Sequence, residues 1–105
     1  MSAVVTRKPI GGRDSLYWHC SGCEETHRVL IDEGGWSWDG SLDRPTLLPS
    51  VLVRFTRADV PMVCHSFVRR GVVEFLGDCT HELAGQAVAM DPANADPWAH
   101  HEAPQ

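Results

Sequence analysis

Four cysteines and six histidines stand in a chain of 105 residues, and the chemistry they first suggest is metal binding. Cys20-Ser21-Gly22-Cys23 is a C-x-x-C pair in a turn. That spacing lets two thiolates reach one tetrahedral ion while backbone amides stabilise their charge. Cys64, His65, Cys79 and His81 come much later, so ligands from separate segments could staple a small core. Mixed sulfur and imidazole ligation points to Zn2+, whereas an iron–sulfur cluster usually takes four thiolates. The expected ligands are Cys20, Cys23 and Cys64, with His81 or His27 as the fourth. Cys64 and His65 are adjacent and face opposite ways in a strand, so choosing Cys64 leaves His65 free. Cys79 by itself reads as a small packing residue. The second half of a zinc ribbon, another C-x-x-C or an H-x-x-x-H, is absent.

His65 then becomes a candidate base. The segment from Val63 to Leu76 reads as a hairpin turning at Arg70-Gly71, because glycine accepts the positive φ of a tight hairpin turn. A two-residue turn sets Arg69 opposite Val72, His65 opposite Leu76 and Val63 opposite Asp78. His65 and Asp78 are then diagonal neighbours on one face. A carboxylate beside an imidazole fixes its tautomer and raises its basicity, the orienting half of a serine triad. Ser50, behind Pro49 at the start of a strand, is the candidate nucleophile; Ser66 is the other serine nearby but points away from His65. A structural His/Asp hydrogen bond is the competing explanation of the pair.

Other metal and thiol chemistries fit less well. His81-Glu82-Leu83-Ala84-Gly85 begins like H-E-x-x-H but ends in glycine, which removes the second zincin ligand. The zinc deaminase signature needs H-x-E ahead of P-C-x-x-C, and His100-His101-Glu102 lies at the wrong end of the chain. A thioredoxin-like reading of the C-x-x-C requires a helix after it, but Val29-Leu30-Ile31 is strand-like.

These residues need elements to hold them, and periodicity favours strands. Leu16–His19 and His27–Ile31 flank the cysteine turn. Trp36-Ser37-Trp38-Asp39 alternates aromatic with polar residues, and its tryptophans could floor a substrate groove or fill the core. Ser50–Phe55 is rich in β-branched and aromatic residues, with Pro49 tolerated at its start but not inside it. Thr80–Gly85 could form one helical turn capped by Thr80. The expected architecture is mainly β: a small single-domain antiparallel sheet with a zinc-knuckle turn and at most one short helix. Its expected divisions are a flexible N-terminal segment over 1–12, a zinc-stabilised β domain over 13–90 and a loose C-terminal tail over 91–105, where Pro92, Pro97 and Pro104 recur. His100-His101 in that tail reads as solvated.

Composition narrows the partners. Nine Lys+Arg against fourteen Asp+Glu give a formal charge of -5, and no basic cluster exceeds Arg69-Arg70, which argues against a nucleic-acid partner. No apolar run approaches the ~18 residues of a membrane span. The N-terminus lacks the pattern of a secretory signal, so a cytoplasmic location with reduced thiols is expected.

Cys20-Ser21-Gly22-Cys23, Trp36-Ser37-Trp38-Asp39-Gly40, Pro45-Thr46-Leu47-Leu48-Pro49-Ser50, Cys64-His65-Ser66-Phe67-Val68 and Asp78-Cys79-Thr80-His81-Glu82-Leu83-Ala84-Gly85 together resemble a group of small phage and prophage proteins often mislabelled ammonia monooxygenase. The resemblance runs from about Tyr17 to Met90. That group is similar to a broader domain family, some members of which accompany bacterial ubiquitin-like conjugation operons as peptidases of the conjugated modifier. The broader pattern maps onto Cys20, Cys23, Pro49-Ser50-Val51, Cys64, His65 and Gly71, but Cys64 and His65 are adjacent here where relatives separate them. No two-His, one-carboxylate iron set or copper site supports monooxygenase chemistry. The resemblance implies a zinc-stabilised small hydrolase, a peptidase acting on a ubiquitin-like or host protein in the bacterial cytoplasm. Ser50 would be its nucleophile, His65 its base and Asp78 its orienter. The alternatives are a non-enzymatic phage protein that blocks a host factor by surface contact, and a catalytic metal with His65 among its ligands.

Overall fold

The computed structural model describes residues 2–97. The fold is mainly β, with two antiparallel sheets. The first holds β1 (Thr6–Arg7), β2 (Ser15–His19) and β3 (Thr26–Leu30) in that order. The second holds β4 (Ser37–Trp38), β5 (Leu47–Arg57), β6 (Val60–Arg69), β7 (Val72–Phe75) and β8 (Ala87–Ala89), again in chain order. One 3-10 turn, Pro92–Asn94, follows. Among the described residues no helix is long and apolar enough to cross a membrane.

Alternation along β6 explains how one strand serves two purposes. Cys64, Ser66 and Val68 are buried while His65 and Phe67 are only partly so, because successive side chains leave opposite faces of a pleated strand. Of the inward set, Cys64 and Val68 join Leu47 and Val51 of β5, Val73 and Phe75 of β7, and Leu16, Trp18 and Val29 of the first sheet in one apolar cluster. The two sheets therefore share a core, and the outward face of β6 is left for His65.

The long β5–β6 hairpin sets the site. It closes through Ala58 and Asp59, both at positive φ (50° and 65°), with Arg57 opposite Val60. From Val51 opposite Ser66 to Arg57 opposite Val60 the ladder is regular. Pro49 lies inside the span of β5, contrary to the expectation that it would stand at the strand's start. It is accommodated because the register shifts between Leu47 and Val51, a bulge where no ladder donor is required of it.

The β6–β7 hairpin turns as expected at Arg70-Gly71, with Arg69 opposite Val72 and φ values of 50° and 76° at the two turn residues. A Cβ on Gly71 would sit 3.1 Å from Arg44 Cα, against backbone that has little room to give. We therefore expect Gly71→Ala to cost on the order of 1–3 kcal/mol, read as a lower denaturation midpoint in urea with an unchanged slope.

Within the N-terminal segment Val4 and Val5 are buried in the core and Thr6 pairs with Tyr17, so its described residues pack against the β domain. The described part of the C-terminal segment is docked, since Thr6 Oγ1 donates to the Ala95 carbonyl at 2.6 Å and Pro97 is fully buried. His100 and His101 lie outside the described residues. Thr80 does not cap a helix; its hydroxyl accepts from Val63 N–H at 3.0 Å, and the following residues form successive turns through Ala84 N–H to His81 and Gln86 N–H to Leu83.

Candidate active site and metal centre

Ser50 and His65 meet on the outward face of the second sheet. Val51 opposite Ser66 points inward and Leu52 opposite His65 points outward, so Ser50, two residues before Leu52, is on the side of His65. Ser50 Oγ lies 2.9 Å from His65 Nε2, and His65 Nδ1 lies 3.0 Å from Asp78 Oδ2. A carboxylate can only accept, so Nδ1 carries the proton and Nε2 is left as acceptor for the Ser50 hydroxyl. The His65 side chain is 24% exposed and that of Asp78 57%, which places the chain of bonds at the surface and not in a closed cavity. Trp36 braces the backbone at Ser50: its indole N–H lies 3.1 Å from the Pro49 carbonyl and 3.3 Å from that of Ser50.

Asp78 arrives by a different route from the one its spacing suggests. β7 ends at Phe75, and although Leu76 N–H still donates to the His65 carbonyl at 2.9 Å, the Leu76 carbonyl accepts Cys79 N–H at 3.2 Å. The chain thus turns through Gly77 and Asp78, and Val63 bonds Thr80 in place of Asp78. Asp78 reaches His65 from a turn, not from a ladder position. Ser66 is buried on the opposite face, away from His65.

On that opposite face lies a sulfur-rich cluster. Cys20, Cys23, His27 and Cys64 are all buried, and one ligand atom from each falls within 4.8 Å of the others. The β2–β3 hairpin brings three of them together: Cys20 N–H donates to Glu25 and Glu24 N–H to Cys20, closing the knuckle, while Trp18 opposite His27 returns the imidazole to the cysteines. Cys23 Sγ is 3.1 Å from His27 Nε2, and Cys20 Sγ is 3.8 Å from Cys64 Sγ across the two sheets. Corners of a tetrahedron of sulfurs around zinc are separated by roughly 3.8 Å, given Zn–S bonds near 2.3 Å. Arg57, at the end of β5, ties the knuckle down through the Cys23 carbonyl and Glu25, both at 2.7 Å.

The electrostatics of the cluster suit a cation. Hydrogen bonds from Cys23 and then Cys64 hold the Cys20 thiol far below the ordinary thiol range, against the cost of burying its charge. Cys64 is pushed up, first by its bond to Cys20, since one proton serves neighbouring sulfurs. Burial is the largest influence on His27 and lowers it, but bonds to Cys20 and Cys23 together outweigh burial and push it up to about 9. His27 Nδ1 is buried without a hydrogen-bond partner, so the polar attachment of this ring is its Nε2 end, the end aimed at sulfur. A buried set of three sulfurs and one imidazole fits a tetrahedral divalent ion.

Of the two histidines open as fourth ligand, His27 stands within this tetrad. His81 Nε2 is 3.4 Å from Cys64 Sγ, in a second grouping with Cys64 and Cys79. Its ring packs edge-on against Phe75 and over Gly22, where a Cβ would come within 2.5 Å of His81 Cε1. Glycine in the knuckle is thus what lets His81 approach. Sequence reasoning left Trp36 undecided and saw only packing in Cys79; a tryptophan whose indole caps a strand carbonyl carries no local signal.

No curated protein and no solved structure matches this chain. A family model does match residues 2–76, a stretch that includes the knuckle, Ser50 and His65 and stops two residues short of Asp78. With that match over most of its length, the chain belongs to the family described as the bacterial ubiquitination-like system serine protease (BubE).

Proposed function

We propose that the protein is a serine peptidase of a ubiquitin-like system, with Ser50 as nucleophile, His65 as general base and Asp78 as the residue that orients it. The observation that carries this reading is the unbroken hydrogen-bond chain from Ser50 Oγ through both ring nitrogens of His65 to Asp78. Family membership supports the same chemistry. His65 Nε2 takes the Ser50 proton as Oγ bonds to the carbonyl carbon of the scissile linkage. The protonated ring, held by Asp78, then gives that proton to the departing group. Water, deprotonated by the same nitrogen, releases the acyl group from Ser50 and restores the hydroxyl. The substrate is the linkage at the end of a ubiquitin-like protein.

In this reading Cys20, Cys23, His27 and Cys64 hold one zinc ion, which when bound supplies folding energy and not a reacting water, because four protein donors close its coordination. Its tie to Cys64 fixes the strand whose next residue is His65.

The test is covalent labelling. A fluorophosphonate probe is expected to modify the purified protein once per chain, with the adduct mapped to Ser50 by peptide mass spectrometry and lost in Ser50→Ala. Folded, metal-loaded protein that takes no label, or takes it on another serine, ends the proposal.

A further inference from the structure

Resting on the hydrolase reading above, we propose that Cys79 is a positioning residue for the Ser50–His65–Asp78 chain, acting through the backbone of His65. The ladder between β6 and β7 is interrupted at this point. In a continuing antiparallel pair the Leu76 carbonyl would accept His65 N–H, but that carbonyl is turned to accept Cys79 N–H at 3.2 Å. The Cys79 side chain takes its place: His65 N–H donates to Cys79 Sγ at 3.2 Å, and the Cys79 thiol donates to the His65 carbonyl at 3.2 Å. One buried thiol therefore satisfies the His65 N–H and adds a second bond to the His65 carbonyl, which also accepts from Leu76 N–H, so it grips the backbone on both sides of the base.

The same contact sets Asp78. With Cys79 fixed on His65, and Thr80 fixed on Val63 by its N–H and hydroxyl, both at 3.0 Å, the residue just before them is held within hydrogen-bond reach of His65 Nδ1. Asp78 is more than half exposed, and the hydrogen bond described for its carboxylate is the one to His65. Its place depends on the turn that Cys79 pins. A thiol suits the position because it both accepts and donates weakly while tolerating an apolar setting.

The experiment compares the full-length wild type with Cys79→Ala, Cys79→Val and Cys79→Ser. It measures the saturation kinetics of fluorophosphonate labelling, metal content and thermal midpoint. Cys79→Ala and Cys79→Val remove both bonds, and Cys79→Val, larger than cysteine by about one methyl group, fills the site should the space left by Cys79→Ala prevent folding. Each is expected to lower the maximal labelling rate roughly 10²-fold, the scale set by misplacing a catalytic group by about 1 Å, with half-saturating probe concentration and metal content unchanged. Cys79→Ser keeps an acceptor and a donor and is expected to recover most of the rate. Wild-type rates in Cys79→Ala or Cys79→Val overturn the proposal, as does a Cys79→Ser variant no faster than Cys79→Ala. Loss of one metal equivalent in Cys79→Ser overturns it too, by making Cys79 a ligand. Wild type that takes no label removes the hydrolase reading itself, and the positioning role with it.

Discussion

Cys20→Ser is expected to lose the metal and to unfold the domain at 25 °C, a larger effect than any single change in the apolar core would produce. Structural zinc sites contribute about 10–16 kcal/mol of apparent binding energy near neutral pH. Native domains keep only about 5–15 kcal/mol in total. Here the four candidate donors join the first sheet's knuckle to β6 of the second, so a bound ion would close the contact between the sheets as well as the turn. Without it, three cysteines and an imidazole remain buried together with no cation between them. Cobalt substitution reads the site directly: wild type should show thiolate charge-transfer absorption and tetrahedral visible bands, and Cys20→Ser should show neither. The histidines separate in the same assay. His27→Ala should weaken or abolish the bands, whereas His81→Ala should keep one metal per chain. Protein that stays folded after chelation, with its midpoint unmoved, would falsify the structural role.

How far the chain could be read before its structure depended on whether a feature was local. The Arg70-Gly71 turn is local: two residues at positive φ, one of them glycine, fix the register of β6 against β7 as far as His65. The separation of Cys64 from His65 follows from strand alternation alone, and both faces came out as that rule requires. What lay beyond reach is set by irregularities. The bulge between Leu47 and Val51 let Pro49 into the strand, and nothing in Pro49-Ser50 distinguishes a bulge from a strand start. The turn through Gly77 and Asp78 depends on Cys79 taking the place of a ladder carbonyl, a substitution that periodicity cannot register. The sequence favours His81 as fourth ligand and leaves His27 open, because the choice rests on the β2–β3 register, Trp18 against His27, across a knuckle whose loop length the spacing does not fix. Val4 and Val5 are too short a run to show a period, and their burial comes from docking against the rest of the core.

Three substitutions on the outward face of β5, β6 and the Asp78 turn are expected to divide by role. Ser50→Ala and His65→Ala should each reduce cleavage of a C-terminally extended ubiquitin-like protein by roughly 10⁶-fold, the scale found when the nucleophile or base of a serine peptidase is removed. Asp78→Asn should cost less, about 10²–10⁴-fold. It leaves the base in place but can present an amide N–H to Nδ1, which favours the wrong tautomer. Its 57% exposure also lets water stand in for part of what the carboxylate does. The double variant Ser50→Ala with His65→Ala is the sharper test. If the two residues act as one unit through the 2.9 Å Oγ to Nε2 bond, the second change should remove almost nothing beyond the first. Losses that multiply would instead mean that serine and histidine contribute independently, and the hydrogen-bond chain would then be structural. Metal content and thermal midpoint should match wild type in all four proteins, because Ser50 and His65 leave the sheet's outward face and Asp78 stands in an exposed turn, while the candidate metal ligands and the core are on the inward face.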